Sequence, residues 1–259
     1  VPGRESRSFL IDLLREEDVH VRQAAVEALG DLGDPQAVGA LTGLFQNDTR
    51  TEVRRAIARA LKNFPASPEG LGVLLEAVLD ADAGIRQEAA PSLSEFFARE
   101  DRIFRGSMLK KREVVTALLK AAFGEPRQGR AAGDAEPNVR KWSARALGLS
   151  ESYRAVIPVR DLFKDAHAEV RLEAVRAAGL LRDKRAMKEL FHILDNDQET
   201  TAVRAEAFLA LQRLESDAAF ESMRQKVSQG SREDRMSVLK MLRLLLESGE
   251  AVLVEEAQV

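Results

Sequence analysis

Apolar and small residues recur along most of the chain at intervals of three and four positions, the spacing that lines one face of an α-helix. The first such run contains Val21, Ala25, Ala28 and Leu29. The equivalent residues of two later runs are Val53, Ile57, Ala60 and Leu61, and Val139, Ser143, Ala146 and Leu147. This pattern predicts a series of amphipathic helices.

An arginine follows the first apolar residue of nearly every run and returns with an almost constant period. The arginines are Arg22, Arg54, Arg86, Arg140, Arg171, Arg204 and Arg235. Their successive separations are 32, 32, 54, 31, 33 and 31 residues. A fixed period of this length is typical of repeat proteins. We therefore predict seven units, with one insertion of 22 residues between the third and the fourth.

Each arginine-bearing helix is preceded by another amphipathic run, so the predicted unit is a helical hairpin. The preceding runs cover residues 9–14, 37–45, 71–79, 114–123, 155–163 and 187–194. Gly33 and the pair Asp34-Pro35 supply a helix stop and a helix start between the first two hairpins. One hairpin cannot cover its own apolar face, so neighbouring hairpins are expected to stack into a solenoid.

Two stretches carry a family resemblance. DVHVRQAAVEALGDLGDPQAV (residues 18–38) and DAHAEVRLEAVRAAGLLRDKRA (165–186) resemble HEAT repeats, especially the short bacterial variety named after phycobilisome lyases. The resemblance implies an all-α fold, an α-α superhelix or right-handed solenoid of about seven HEAT-like hairpins. It implies little about function, because such repeats serve scaffolds, lyases, hydroxylases and DNA repair enzymes.

We expect one solenoid domain spanning residues 1–259. Its insertion falls at about 99–137, between the third and fourth repeats, and an acidic tail follows at about 247–259. The insertion is either a neutral surface loop or part of a binding face. Pro91 and Pro158 each interrupt a predicted helix and are expected to bend it.

The recurring arginine has a structural interpretation. An aspartate lies six residues before Arg54, Arg86 and Arg171, which suits a charge-assisted ladder that crosses from one repeat to the next. The planar guanidinium can bond to turn carbonyls and a carboxylate together. The alternative interpretation is a row of anion-binding arginines.

The candidate binding residues lie next to the recurring arginine. If the second helices line the concave side, as the resemblance implies, residues one and five places after each arginine face the groove. The middle of this series is basic, with Arg55, Arg59, Lys141, Arg145 and Arg176. They form either a solvated helix face or a groove for an acidic peptide or a phosphate backbone.

Trp142 completes the candidate partner-binding site. It is the only tryptophan, and its counterparts in the other repeats are small or polar residues. It either fills a gap beneath the insertion or serves as an exposed binding anchor. We therefore predict a non-enzymatic protein-interaction scaffold that presents Arg55, Arg59, Lys141, Trp142, Arg145 and Arg176 to another protein, with an acidic segment as the preferred partner.

Two other functions rank below this one. A nucleic-acid-binding relative of the HEAT-like DNA glycosylases comes second, but aromatic residues are only 5% of the chain, too few for base stacking. A chromophore-lyase-like enzyme comes third. His20, His167 and His192 lie in different units without metal-site spacing, cysteine is absent, and no phosphate-binding loop occurs. We expect no cofactor, no metal and no catalysis.

Net charge, the length of the apolar runs and the first residues of the chain bear on partners and location. The net charge is −3, although residues 99–145 hold twelve basic against six acidic residues. No apolar run approaches the roughly 20 residues of a membrane span, so no membrane partner and a cytoplasmic location are expected. The chain begins without methionine, which suggests a processed protein or a fragment.

The two terminal repeats raise the possibility of self-association. The first hairpin has no polar cap, so we expect either a preceding domain or association of two copies through this end. The run from Met236 to Leu246 is strongly apolar. We expect residues 251–254 to cover it; exposed, it would form a second dimer surface.

Overall fold

The computed structural model describes residues 2–64, 68–99, 108–123, 134–214 and 217–247. These ranges form fourteen α-helices and no β-strand. The helices are α1 (Pro2–Leu13), α2 (Val19–Leu32), α3 (Val38–Asn47), α4 (Thr51–Ala60), α5 (Pro68–Ala77), α6 (Ala83–Arg99), α7 (Met108–Phe123), α8 (Pro137–Leu149), α9 (Val156–Asp161), α10 (Ala168–Leu180), α11 (Met187–Asp195), α12 (Thr201–Arg213), α13 (Asp217–Gln229) and α14 (Arg232–Glu247). The predicted all-α fold is confirmed.

Consecutive helices pair into seven hairpins, and the paired helices of all but the fourth are separated by short polar turns. Asp18 caps α2 by accepting a hydrogen bond from the His20 amide at 2.8 Å. Gly33 ends the same helix with φ 60°, a left-handed conformation that favours glycine. Each hairpin thus has a first helix and a second helix, and the second helices are α2, α4, α6, α8, α10, α12 and α14.

The described chain divides into two compact units, and the single solenoid domain over residues 1–259 stays a prediction. Unit 1 covers Val1–Ser150 and unit 2 covers Glu151–Val259. Within unit 1, α2 packs beside α4, α4 beside α6, and α6 beside α8. Within unit 2, α10 packs beside α12 and α12 beside α14. In each unit the second helices therefore form a continuous row.

Small residues bring neighbouring second helices close together. A Cβ atom added to Gly30 of α2 would lie 2.8 Å from the Cβ atom of Ala60 in α4. Gly179 of α10 has the same relation to Ala210 of α12, at 3.0 Å. The core between the helices consists mainly of buried alanine, leucine and valine, as the composition indicates.

Parts of the sequence predictions fall outside the described residues. These parts are residues 100–107 and 124–133 of the insertion, and residues 248–259 of the tail, including 251–254. Pro91 lies inside α6, and Pro158 lies inside α9, a helix of only six residues that continues into a short 3₁₀ turn. No helix in the described part of the chain is both long and apolar enough to cross a membrane.

Candidate functional site

The recurring arginines form an inter-repeat ladder. Nε of Arg22 lies 2.8 Å from a carboxylate oxygen of Asp48, in the turn of the next hairpin. The Nη1 atom of the same guanidinium donates to the carbonyl oxygens of Glu16 and Glu17, at 2.7 and 2.8 Å. One arginine thus bonds to carbonyl oxygens of its own turn and to a carboxylate in the turn of the next hairpin.

The same arrangement recurs in both units. The pairs are Arg22–Asp48, Arg54–Asp80, Arg86–Asp134 and Arg171–Glu199. Arg171 donates to both carboxylate oxygens of Glu199 at 2.7 Å. Arg204 differs, since it bonds to Asp197 and to the carbonyl oxygen of Leu194, each at 3.0 Å. The structural interpretation of the recurring arginine is confirmed, and these residues are called the ladder arginines.

Arg55 and Arg59, two of the candidate binding residues, lie on α4 and share one carboxylate of α6. Nη2 of Arg59 lies 2.7 Å from Oε1 of Glu88, and Nη2 of Arg55 lies 3.3 Å from the same atom. The hydrogen bond from Arg59 lowers the pKa of Glu88. The side chains of Arg55 and Arg59 remain 47% and 45% exposed. Both guanidinium groups therefore still face solvent.

Lys141, Trp142 and Arg145 form a second cluster on α8. Nζ of Lys141 lies 5.4 Å from the centre of the Trp142 ring, and Cζ of Arg145 lies 5.3 Å from it. Both distances fall within the range of cation–π attraction. Trp142 is half-buried. The two cations are thus held beside an aromatic ring that keeps part of its surface in solvent.

Arg176, the sixth candidate, belongs to unit 2 and takes part in an internal ion-pair network. Its guanidinium lies 2.8 Å from Glu206 and 3.0 Å from Glu173. Arg213 bonds to the other carboxylate oxygen of Glu206 at 2.9 Å. The carboxylates of Glu173 and Glu206 are buried, so this network joins neighbouring helices within unit 2.

The carboxylates that bind Arg55, Arg59 and Arg176 were not predicted from the sequence. Glu88, Glu173 and Glu206 each lie two places after a ladder arginine, at the position that Trp142 occupies in the fourth repeat. Glu88 and Glu206 each accept from an arginine of the preceding second helix. The sequence spacing could have identified them. Glu88 and Glu206 each follow, by 29 to 33 residues, an arginine that lies one or five places after a ladder arginine.

One surface depression in the described residues is lined by none of the candidate residues. It has a volume of about 420 Å³ and is widely open to solvent. Its lining residues are Leu79, Arg112, Glu113, Thr116, Ala117 and Lys120. In the described ranges no three histidine, aspartate or glutamate side chains cluster as metal ligands do.

Comparisons with known proteins agree with this architecture. The chain matches the family model for HEAT repeats over residues 1–62 and 158–243. No curated protein shows significant sequence similarity to it.

Solved structures of the same fold include both a natural and two engineered proteins. The complex of CpcE and CpcF of phycocyanin lyase from Nostoc sp. PCC7120 is 18% identical, with a TM-score of 0.54, over 91% of this chain and 86% of that chain. One engineered protein is 21% identical, with a TM-score of 0.60, over 82% of this chain and 97% of that chain. A second is 20% identical, with a TM-score of 0.57, over 92% of this chain and 67% of that chain.

At these identities the structural likenesses show the fold alone. The family match is stronger evidence, because it reaches into both units and covers more than half of the residues. The resemblance read from the sequence is thereby confirmed, and the chain belongs to the HEAT-repeat family.

Proposed function

We propose that the chain is a non-enzymatic protein-interaction scaffold and that the row of second helices in unit 1 binds an acidic segment of a partner protein. The binding surface consists of Arg55, Arg59, Lys141, Trp142 and Arg145, and we call it the basic surface. One observation carries the proposal. Four cations occupy the same two repeat positions on α4 and α8, two second helices of one row, and the only tryptophan lies beside two of them.

The spacing of these helices indicates what form of partner would suit the basic surface. Helix α6 lies between α4 and α8, and neighbouring packed helices are about 8–10 Å apart, so the two clusters are roughly 16–20 Å apart. An extended chain covers this distance with about five to six residues. A suitable partner therefore carries two acidic groups of residues separated by a spacer of that length.

The middle of the basic surface favours a peptide over a nucleic acid. On α6 the two positions equivalent to the cations hold Gln87 and Pro91, and Glu88 lies beside them. A phosphate backbone carries regularly spaced negative charge and would pass close to the carboxylate of Glu88. A peptide can place an uncharged spacer there. This difference supports an acidic protein segment as the ligand.

Trp142 adds an apolar contact to the electrostatic one. Aromatic side chains between cations are common binding anchors, because they bury a large area with few rotatable bonds. The partner is expected to place an apolar residue next to its second acidic group. Arg176 is not part of the basic surface, because its guanidinium is bonded to Glu173 and Glu206 in unit 2.

Fluorescence anisotropy of a labelled peptide tests the proposal. The peptide carries two acidic clusters joined by a six-residue neutral spacer, and the salt concentration is varied. We expect saturable binding that weakens as salt rises, and a loss of about tenfold or more in affinity for Lys141→Glu combined with Arg145→Glu. Unchanged affinity of this double variant would contradict the proposal.

A matched control and a competing ligand make the result specific. Lys184→Glu with Lys188→Glu changes the net charge equally on exposed residues of unit 2, and we expect wild-type affinity for it. A DNA oligonucleotide of equal charge is titrated in parallel. Tighter binding of the DNA would favour a nucleic-acid partner instead. The absence of catalysis, the absence of a cofactor and the cytoplasmic location stay predictions.

A further inference from the structure

Tyr153 and Ile157 are exposed apolar side chains in the first half of the fifth hairpin, in unit 2. Tyr153 is 85% exposed and Ile157 is 62% exposed. They lie four residues apart on a continuous helical stretch, formed by the 3₁₀ turn Tyr153–Ala155 and α9. Residues four apart on a helix share one face, so the two side chains project into solvent together.

The same two repeat positions carry no large apolar residue in three other hairpins. Alignment on the buried residues of the first helices gives the equivalent pairs Pro35 with Gly39, Pro68 with Gly72, and Lys184 with Lys188, all of them exposed. A Cβ atom added to Gly39 or Gly72 would meet no other atom within 4 Å. These positions therefore face solvent, and the fold does not require apolar residues there.

The sixth hairpin places cations beside the apolar pair. Arg160 of α9 forms an ion pair with Glu189 of α11, so the two first helices lie side by side within unit 2. Lys184 and Lys188 occupy the positions of the apolar pair on the sixth hairpin. Neighbouring packed helices are about 8–10 Å apart, so both lysines flank the apolar pair.

The charge around this pair is mainly positive. In residues 151–161 and 182–188 the exposed acidic residues are Glu151 and Asp161, and the exposed basic residues are Arg154, Arg182, Lys184, Arg185 and Lys188. Arg185 is bonded to Asp183, but its side chain is still 66% exposed. We define the α9 face as Tyr153, Arg154, Ile157, Lys184 and Lys188.

We propose that the α9 face binds the surface of an anionic lipid bilayer, with Tyr153 and Ile157 inserted at the level of the headgroups. An apolar pair with cations around it is complementary to a surface that presents anionic headgroups above a hydrocarbon layer. Tyrosine suits this depth, because its ring is apolar while its hydroxyl group can stay hydrated.

The apolar pair favours a bilayer over another macromolecule. A nucleic acid backbone offers charge but no apolar environment for Ile157. A protein would need a preformed cavity for both projecting side chains, whereas a fluid bilayer adapts to them. The expectation of no membrane partner rests on the length of apolar runs, and a face that lies on a bilayer needs no spanning run.

Flotation of the full chain with lipid vesicles tests this proposal. Vesicles of phosphatidylcholine with about 30% phosphatidylglycerol are compared with vesicles of phosphatidylcholine alone, and we expect at least about tenfold tighter binding to the anionic ones, weakening as salt rises. Tyr153→Ser with Ile157→Ser should weaken this binding about tenfold or more, because it removes the inserted apolar groups. Leu32→Ser with Val227→Ser removes two exposed apolar side chains elsewhere and should bind as the wild type does.

A pair of charge reversals separates this face from the basic surface of unit 1. Lys184→Glu with Lys188→Glu should weaken vesicle binding about tenfold or more and leave the affinity for the acidic peptide unchanged. Lys141→Glu with Arg145→Glu makes the same change in net charge and should have the opposite pair of effects. Either surface can therefore fail its test while the other passes. Circular dichroism verifies that the variants are folded.

A label at position 157 gives the decisive readout, because the chain contains no cysteine. Ile157→Cys carries an environment-sensitive fluorophore, and Thr201→Cys, exposed in the turn between α11 and α12, carries the same label as the control. Anionic vesicles should shift the emission at 157 to shorter wavelength and leave that at 201 unchanged. Unchanged emission at 157, equal binding to neutral vesicles, or full binding by both double variants of the α9 face would each overturn the proposal. A shift at 157 with the acidic peptide but not with vesicles would assign the α9 face to an acidic protein instead.

Discussion

Arg86 and Asp134 are bonded to each other across 48 residues of sequence. Nε and Nη2 of Arg86 lie 2.5 and 3.1 Å from the two carboxylate oxygens of Asp134. The corresponding pairs Arg22–Asp48 and Arg54–Asp80 are separated by 26 residues. The difference equals the 22 inserted residues, so the ladder continues across the insertion as if it were not there.

Removing this pair should cost stability. Asp134→Asn leaves the guanidinium of Arg86 without its charged acceptor, and both side chains are largely buried, at 18% and 8% exposure. We expect the free energy of unfolding in urea to fall by about 1–3 kcal/mol. Glu221→Gln, which breaks the exposed pair with Arg224, should change it by less than about 0.5 kcal/mol. Equal losses in the free energy of unfolding for the two substitutions would show that the buried ladder pair contributes no more stability than an exposed ion pair.

The close approach of α2 and α4 gives a second stability prediction. In Gly30→Ala the new Cβ atom would lie 2.8 Å from that of Ala60, so the helices must separate, and we expect a loss of about 1–3 kcal/mol. Gly43→Ala on α3 is the matched control, because no atom lies within 4 Å of the added Cβ. It should raise the free energy of unfolding by about 0.4–1 kcal/mol. A loss at both positions, measured by thermal or urea unfolding, would contradict the packing described here.

The fold could be predicted from the sequence because the repeat pattern indicates both the number of hairpins and the buried face of each helix. Seven arginines at nearly equal spacing count the hairpins, and the apolar residues four, seven and eight places after Val21 identify the buried face. The division near Ser150 could not be predicted, because the residues on each side follow the same repeat pattern. At the insertion, the sequence gives the length of the added segment, but not that Asp134 beyond it is the acid bonded to Arg86.

Stability should also depend on pH through Glu199. Burial, the largest single influence, raises the pKa of Glu199, but the hydrogen bonds from Arg171 and Thr200 together outweigh it and leave the pKa below its usual 4.5. A carboxyl group with a lowered pKa in the folded state stabilises the fold above its unfolded pKa. This contribution is lost as pH falls through the folded pKa.

Urea unfolding of Glu199→Gln at a series of pH values measures this contribution. At neutral pH the wild type should be more stable than the variant. The difference should shrink as pH falls below about 4.5. A difference for Glu199→Gln that is constant across this pH range would contradict the role assigned to the Arg171–Glu199 pair.

Glu88 should compete with the partner for Arg55 and Arg59. Its carboxylate occupies one side of both guanidinium groups. Glu88→Gln keeps a hydrogen-bond acceptor but removes the negative charge, so the acidic peptide should bind about three- to tenfold more tightly. Glu221→Gln removes one charge in unit 2 and should leave the affinity unchanged. Weaker binding by Glu88→Gln, measured by anisotropy, would mean that Glu88 does not oppose the ligand.

The candidate site was predicted only in part, for an identifiable reason. Repeat positions indicate which residues share a face, so Arg55, Arg59, Lys141 and Arg145 could be selected from sequence. They do not indicate which carboxylate of the next repeat lies within reach. Glu88 and Glu206 were therefore missed, although they determine that Arg176 is held internally while Arg55 and Arg59 stay half-exposed.

The central claim is that an acidic partner binds at the basic surface of unit 1, and the emission of Trp142 tests it most directly. Because Trp142 is the only tryptophan, its emission reports on this surface alone. Titration with the two-cluster acidic peptide should change the emission saturably, with the dissociation constant found by anisotropy, and added salt should reverse the change. Constant Trp142 emission while anisotropy shows the peptide bound would contradict the claim.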